Sequence, residues 1–501
     1  MESILSAIEK GNKWLNNIVW GWPMIILILG TGILLTILTR VMQIRKLGES
    51  MSTTIVPTVK SLGKKKGEDK TAKSISQFEA FATAISGTVG TGNIIGVTSA
   101  ILTGGPGAVF WMWISAFFGM ITNYSENVLG LYFRKKDKEG NFSGGAFYYI
   151  SEGLGKGWKW LGYLAAAFCM LAAIGMSAVQ TNKISGTLSS GFANLDAGTV
   201  KLVVGIIVAI VAALVIIGGI KRIGRVASIL VPFMSVLFLV LSIIIIIMHI
   251  GNLGAALGAI FKYAFNFKAV GGGIFGYTFG TIIKKGMARG VFSNEAGLGS
   301  SVIAHSASET REPVRQGLWG IFEVFFDTFI ICTLTALSIL STYDMSTLAG
   351  EDSAVALGAF SNNFGMFGTV CFCIILPLFA FTTILAWSYY GEKGTEFLFQ
   401  KLGEKGQKAA VMTFKVIFVV LIVVSAIING ELAWAIADTF NGLMAIPNLV
   451  AVILLSGLVV KITKNYYDRK NGARIKPMLS HYEKQNEEFI KDINTGDPRY
   501  N

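Results

Sequence analysis

The chain has 501 residues, 52% of them hydrophobic and only 15% charged, with a formal net charge of +13. Soluble domains carry about 25% charged residues, so the composition excludes an ordinary soluble protein and describes a multi-span membrane protein. The positive surplus is not a nucleic-acid footprint: nine Lys and Arg crowd 40–77, nine more crowd 461–501, and 341–362 has none, the asymmetry of the positive-inside rule.

Strand-like alternation is absent, so the fold class is an all-α membrane protein and not a barrel. Eleven spans are predicted from uncharged stretches long enough to cross a bilayer. The first, 18–39, stands apart. It is longer than the apolar core of a signal peptide and ends at Arg40 without a small-residue cleavage site, so it reads as a retained helix. A basic loop follows to residue 77. Ten core helices are then expected at 78–103, 106–133, 158–190, 198–220, 225–250, 274–308, 313–341, 363–391, 409–429 and 434–460. The Gly-rich segment 251–272 is expected to lie along the outer interface. From about Tyr466 the chain turns polar and reads as a partly disordered tail. The basic loops orient the chain with its N-terminus outside and its C-terminus cytoplasmic.

Ten core helices divide as five plus five, and an odd number of spans per half gives the halves opposite topology. The resulting organisation is 1–77 (extra helix and basic loop), 78–250 (first repeat), 251–460 (interfacial segment and second, inverted repeat) and 461–501 (polar tail). The first helix of each half is interrupted: by Gly87-Thr88-Val89-Gly90-Thr91-Gly92-Asn93, inside an uncharged run from 80 to 125, and by Ser293-Asn294-Glu295-Ala296-Gly297-Leu298-Gly299-Ser300. Glycines and hydroxyl residues weaken a helix and free backbone polar groups, tolerated at membrane depth only inside protein or along a cavity. Paired breaks at matching positions point to the substrate or ion site of a secondary transporter.

Freed N–H groups at Thr91 and Gly92 suit a carboxylate, and freed carbonyls at Ser86 and Val89 suit a hard cation. Asn93 adds a side-chain oxygen. Glu295 either binds a cation, proton or amino group, as intramembrane carboxylates do, or caps the broken helix. Phe292 either closes over a ligand or packs. Thr382 and Thr383 complete an ion site or bond back to their own helix; Trp387 shares a helix face with Thr383 and limits the pocket. Gln180 is a pocket amide or interhelical glue. Glu126, Glu323, Asp327 and Asp438 read as proton or gating elements, or as partners for Arg289 or helix ends. Lys284 and Lys285 are expected at the outer mouth. The four cysteines lie in apolar segments without metal-ligand spacing and read as small hydrophobes.

Three stretches resemble the alanine or glycine:cation symporter family over nearly the whole chain: Gly90-Thr91-Gly92-Asn93-Ile94-Ile95-Gly96-Val97 with Gly104-Gly105-Pro106-Gly107-Ala108-Val109-Phe110-Trp111-Met112-Trp113; Arg289 through Ser300; and Ala437-Asp438-Thr439-Phe440-Asn441-Gly442 with Pro447-Asn448. The resemblance implies a leucine-transporter-type fold of two inverted five-helix repeats with an extra N-terminal helix. It also implies sodium- or proton-coupled uptake of small neutral amino acids. Carried over by position, Thr91 and Gly92 hold the substrate carboxylate, with Thr88, Gln180, Phe292, Asn294, Thr383 and Trp387 completing the pocket. Ser86, Val89, Thr382 and Thr383 form a sodium site, and Thr88, Asn93 and Ser293 a second cation site, with Glu295 and Asp327 as coupling or gating groups. No cofactor, nucleic acid or obligate protein partner is expected beyond the bilayer, the amino acid and its ion. A symporter for glutamine or another neutral amino acid is the nearest alternative. An ion channel is disfavoured because the breaks are single-copy and asymmetric, and an enzyme because no nucleophile–base pair or metal triad is evident.

Overall fold

The computed structural model describes residues 2–62, 74–136, 140–191, 195–265, 279–344, 348–428, 430–497 and 499. Two helices open the chain, α1 (Glu2–Val19) and α2 (Trp22–Leu38), followed by α3 (Leu47–Leu62). The first core span is the pair α4 (Gln77–Thr88) and α5 (Gly92–Gly104), bent by 45° at its break. Then come α6 (Gly107–Phe133), α7 (Ala146–Gly153), α8 (Lys159–Gly191), α9 (Ala197–Ile216), α10 (Gly219–Met248) and α11 (Ile250–Ala264). The second broken span is α12 (Phe279–Asn294) and α13 (Ser301–Ser306). It is followed by α14 (Pro313–Thr342), α15 (Asp352–Phe364), α16 (Met366–Leu398), α17 (Gly403–Ile427), α18 (Gly430–Leu454), α19 (Ser456–Lys470) and α20 (Glu483–Asn494).

Among the described residues eight helices are long and apolar enough to cross a membrane, nine with the bent pair. The 27-residue α6 and the broken pair α12–α13 fall outside that measure; with them, eleven segments overlap the eleven expected spans. The outer helices show their lipid faces as rows of exposed side chains at helical spacing: Ile206, Ile210 and Leu214 on α9, and Val416, Val420 and Val424 on α17. These side chains need no protein partner where the solvent is hydrocarbon. By contrast, α16 buries Trp387, Tyr390, Phe372 and Phe379.

Local sequence explains the breaks. Ser76 and Glu79 form a capping box: Ser76 Oγ accepts from Glu79 N at 3.2 Å and Glu79 Oε2 accepts from Ser76 N at 2.8 Å. This starts α4 firmly. It stops at Thr88, and the chain resumes as a π turn at Gly92–Gly96. The second break is sharper: Glu295, Gly297 and Gly299 all have left-handed backbone, with φ of +55°, +92° and +73°. Glycine takes that conformation without strain, whereas Glu295 needs its surroundings to hold it.

One end of the bundle carries a polar vestibule and the other carries the C-terminal segments. The expectation of a disordered tail is corrected here. Helices α19 and α20 pack onto the bundle because Phe489 and Leu479 are buried with Phe142. Arg311 Nε donates to Asp492 Oδ2 at 2.7 Å and Arg469 Nη2 to Glu312 Oε2 at 2.7 Å. Nor is 341–362 a plain loop: α15 forms there and buries Val355, Ala356, Ala359 and Phe360. The expected interfacial segment 251–272 is helical through Ala264 as α11; 266–278, with the expected start of the sixth core helix, lies outside the described residues.

Candidate binding site at the two broken helices

The breaks meet in the middle of the bundle. Gly90 packs against α16 and α8: a Cβ there would sit 2.5 Å from Thr383 Oγ1 and 3.3 Å from Gln180 Nε2. Gly92 faces the other break, 3.3 Å from the Phe292 ring by the same measure. Glycine at both positions lets backbone approach side chain closely, the condition for a backbone-lined site.

Thr91 N–H donates to Gln180 Oε1 at 3.2 Å, while the buried Thr91 Oγ1 has no partner. Thr383 Oγ1 lies 2.9 Å from Ser86 O and 3.0 Å from Phe379 O, and its single hydrogen is shared between these two carbonyls, placing it between α16 and the end of α4. Thr382 does not join it. Its hydroxyl donates to Phe379 O and lies 3.8 Å from Met234 Sδ. The Thr88 hydroxyl donates to Ile85 O within its own helix. Val89 is buried and closes the helix with its N–H on Ile85 O.

A second polar group surrounds Asp327, on the π turn Phe325–Cys332 of α14. Its carboxylate accepts from Asn93 Nδ2 at 2.6 Å, Ser293 Oγ at 2.9 Å and Thr328 Oγ1 at 2.8 Å. Asn93 Oδ1 accepts from Gly90 N–H at 2.9 Å, linking this group to the first break. No Lys or Arg forms an ion pair with Asp327 among the described residues. Asn294 donates to Thr328 Oγ1 at 3.1 Å and accepts from Ala296 N–H, so its amide closes the end of α12.

Glu295 is fully committed to protein: Oε1 accepts from Trp387 Nε1 at 2.9 Å and Oε2 from Ser300 Oγ at 2.5 Å. Both partners are side chains, so the carboxylate does not cap a freed backbone N–H; it pins the strained break to α16 through Trp387 and to its own loop through Ser300. Trp387 therefore stands against the second break, with its ring 5.4 Å from Tyr390.

Trp434 was not among the expected site residues. It stacks on Phe292 with centroids 5.1 Å apart and planes 17° apart. Arg289 lies 4.9 Å above the Trp434 ring and donates to Asp438 Oδ1 at 3.1 Å, which settles the partner of Arg289. This assembly joins α12 to α18 at the floor of the vestibule, a cavity of about 950 Å³ lined by Arg289, Trp434 and Asp438 with Lys183, Glu351 and Asp352. Lys284 lies over Trp22 and Lys285 against Gly104; neither is among the residues that line this cavity. The signal for Trp434 was its i, i+4 spacing with Asp438, opposite Arg289 and Phe292 at i, i+3.

The model of the sodium:alanine symporter family matches residues 5–480 of this chain. The sodium/alanine symporter AgcS of Methanococcus maripaludis is 42% identical over 468 residues, covering 92% of this chain and 97% of its own. The probable sodium/glutamine symporter GlnT of Bacillus subtilis is 34% identical, covering 92% and 91%. A crystal structure of MhsT in complex with L-phenylalanine superposes with a TM-score of 0.53 at 16% identity, covering 77% of this chain and 97% of that one. That likeness assigns the leucine-transporter-type fold.

Proposed function

Because this chain belongs to the sodium:alanine symporter family, a family of transporters and not of enzymes, we propose that it imports small neutral amino acids, alanine and glycine, together with sodium by alternating access around its two broken helices. The first repeat is then 78–250 and the second, inverted repeat 251–460. The tail-bearing end faces the cytoplasm and the vestibule faces outside, in keeping with the Lys and Arg crowded into 40–77 and 461–501.

The observation that carries this reading is the unwound stretch Val89–Thr91, with a buried, unpartnered hydroxyl on Thr91 beside Gln180 and Thr383. A substrate carboxylate takes the N–H groups of Thr91 and Gly92, displacing Gln180 from the first. Ser86 and Val89 carbonyls with Thr383 hold sodium, and Thr382 joins by turning from Phe379 O. A second cation sits among Asn93, Ser293 and Thr88 and compensates the charge of Asp327, which has no basic partner among the described residues. Phe292 and Trp387 bound the substrate, and the Phe292–Trp434–Arg289–Asp438 assembly is the outer lid. Each ligand favours the same closed state, and that shared preference couples them.

The test is uptake of radiolabelled alanine into proteoliposomes under an inward sodium gradient, with potassium as control and unlabelled glycine and glutamine as competitors. Sodium-dependent accumulation competed by glycine supports the reading. Equal uptake without sodium would refute coupling, and competition by glutamine alone would move the substrate to the one named for the Bacillus subtilis relative.

A further inference from the structure

Below the second break lies a polar cluster that the proposed site does not use. His305, on the short helix α13, is fully buried between two side chains of α14: its Nε2 is 2.7 Å from Glu323 Oε2 and its Nδ1 is 2.6 Å from Gln316 Nε2. All three residues have 0% exposure. Gln316 Oε1 is buried and lacks a hydrogen-bond partner, and Asn123 and Ser301 stand beside the Glu323 carboxylate.

With the Gln316 amide placed as it is, the hydrogen-bond directions set the tautomer of His305. An amide NH₂ donates to Nδ1 only if Nδ1 is an acceptor, so the imidazole carries its hydrogen on Nε2 and gives it to Glu323. With Glu323 ionised, that form bears one negative charge in a fully buried place, an expensive state that one added proton relieves. One added proton at Nδ1 makes an imidazolium against the carboxylate and removes the net charge. Gln316 then needs only to turn its amide, so that the carbonyl lacking a partner accepts from Nδ1–H. The two ends of an amide differ little in shape, so Gln316 serves both protonation states without repacking.

The surrounding charges do not supply this compensation. Glu126 comes from α6, Glu295 from the break, Asp327 from α14 and Tyr390 from α16, all acidic groups that oppose a further negative charge. Arg134, just past α6, turns its guanidinium to the carbonyls of Ser306, Ser308 and Thr310 and, among the described residues, makes no ion pair with Glu323. Glu79 of α4 is held by Ser76, Glu49 of α3 by Lys46 and Lys470, and Arg469 of α19 by Glu312.

We propose that His305, Glu323 and Gln316 form a proton-binding site that is filled while the tail end is closed and exchanges its proton with solution at that end when α13 moves away from α14. The site couples to transport through α13, the second half of the broken helix, and its role in the cycle rests on the transporter reading above. A proton is the ligand because the three fully buried side chains already bond one another and one positive charge balances an ionised Glu323.

Two measurements test this. Sodium-driven uptake by the full-length protein is followed from about pH 5.5 to about pH 8.5, the range in which histidine-linked switches act, in the native protein and in Glu323→Gln. The expected result is a change of about threefold or more across that range in the native protein, reduced to less than about 1.5-fold in the variant. A native profile that is flat, or a variant that keeps the native profile, overturns the site. Ring ¹⁵N resonances are recorded in parallel on the histidine-labelled native protein. The chain has three histidines, so His249→Gln and His481→Gln assign His305 by difference. A change of His305 between singly and doubly protonated forms with pH or with sodium supports the proposal. A ring that keeps one form throughout overturns it, even where Glu323→Gln does not fold. The resonances need no substrate, so failure of alanine uptake would count against the proposed function and leave this test intact.

Discussion

Replacing Gly90 by alanine probes the contact on which the candidate site is built. The added methyl would lie 2.5 Å from Thr383 Oγ1, whereas ordinary contact begins near 3.4 Å. The difference, 3.4 − 2.5 = 0.9 Å, must be absorbed by helix α16 or by rotation of Thr383. Overpacking of this kind costs about 1–3 kcal/mol. Rotation would also break the 2.9 Å bond to Ser86 O, costing about 0.5–1.5 kcal/mol more. A combined penalty of about 2–4 kcal/mol corresponds to a loss of apparent affinity from about thirtyfold to several hundredfold. The assay is sodium- and substrate-dependence of uptake in proteoliposomes, with Gly48→Ala as control because nothing lies within 4 Å of Gly48. Thr383→Ala closes the argument as a double-mutant cycle. It removes the clashing oxygen and leaves the next contacts at 3.3 and 3.4 Å, so adding Gly90→Ala to it should cost less than about 0.5 kcal/mol. Full additivity of the two changes would refute the steric reasoning.

Arg289→Ala, which removes both the ion pair to Asp438 and the cation above Trp434, should raise the apparent KM for substrate about tenfold with a smaller change in maximal rate, read from uptake kinetics. Arg134→Ala leaves three carbonyls at the end of α13 without their donor and should cost about 2–5 kcal/mol in a detergent melting assay; Arg134→Lys should not restore it, since an ammonium lacks the planar fork. Phe489→Ala should release α20, seen as faster cleavage of the tail by protease at unchanged cleavage elsewhere. His481 provides a pH test: burial against the bundle is the main cause that lowers its pKa, Lys135 adds to it and Glu152 opposes it. A depressed histidine favours the docked tail fully above its ordinary value near 6.5 and loses that contribution as pH falls below it. Tail cleavage should therefore quicken below about pH 6.5, and His481→Gln should flatten the response.

Both breaks were legible in the sequence because glycines, hydroxyls and a carboxylate gathered in one uncharged run cannot sustain a helix in hydrocarbon. The helices end within a residue or two of the expected interruptions, at Thr88 and Asn294. What local pattern does not carry is the direction in which a polar side chain turns. Thr382 and Thr383 are neighbours, yet only Thr383 reaches the first break. The composition around Glu295 suits a ligand group or a helix cap, and the structure shows a third arrangement, its two oxygens taken by the side chains of Trp387 and Ser300. The docked tail was illegible for another reason: its polar composition suits disorder, and what holds it down is long-range, Phe489 and Leu479 buried with Phe142 together with the Arg311–Asp492 and Arg469–Glu312 ion pairs. Helix α15 did leave a signal, apolar residues at 355, 356, 359 and 360, but the absence of Lys and Arg drew the reading toward a loop.

The clasp at the tail end joins distant parts of the chain. Arg311 and Asp492 are 181 residues apart, and Gln485 reaches back 351 residues to the carbonyl of Arg134. During synthesis the ribosome delivers α6 and α13 long before α20. A nascent chain with every span already inserted still has an unfastened tail end, and its second broken helix is not yet clasped by α20. Fastening the bundle at this end thus waits for the last residues to be made, and a chain cut short before α20 would leave Phe142 and Arg311 without their tail partners Phe489 and Asp492.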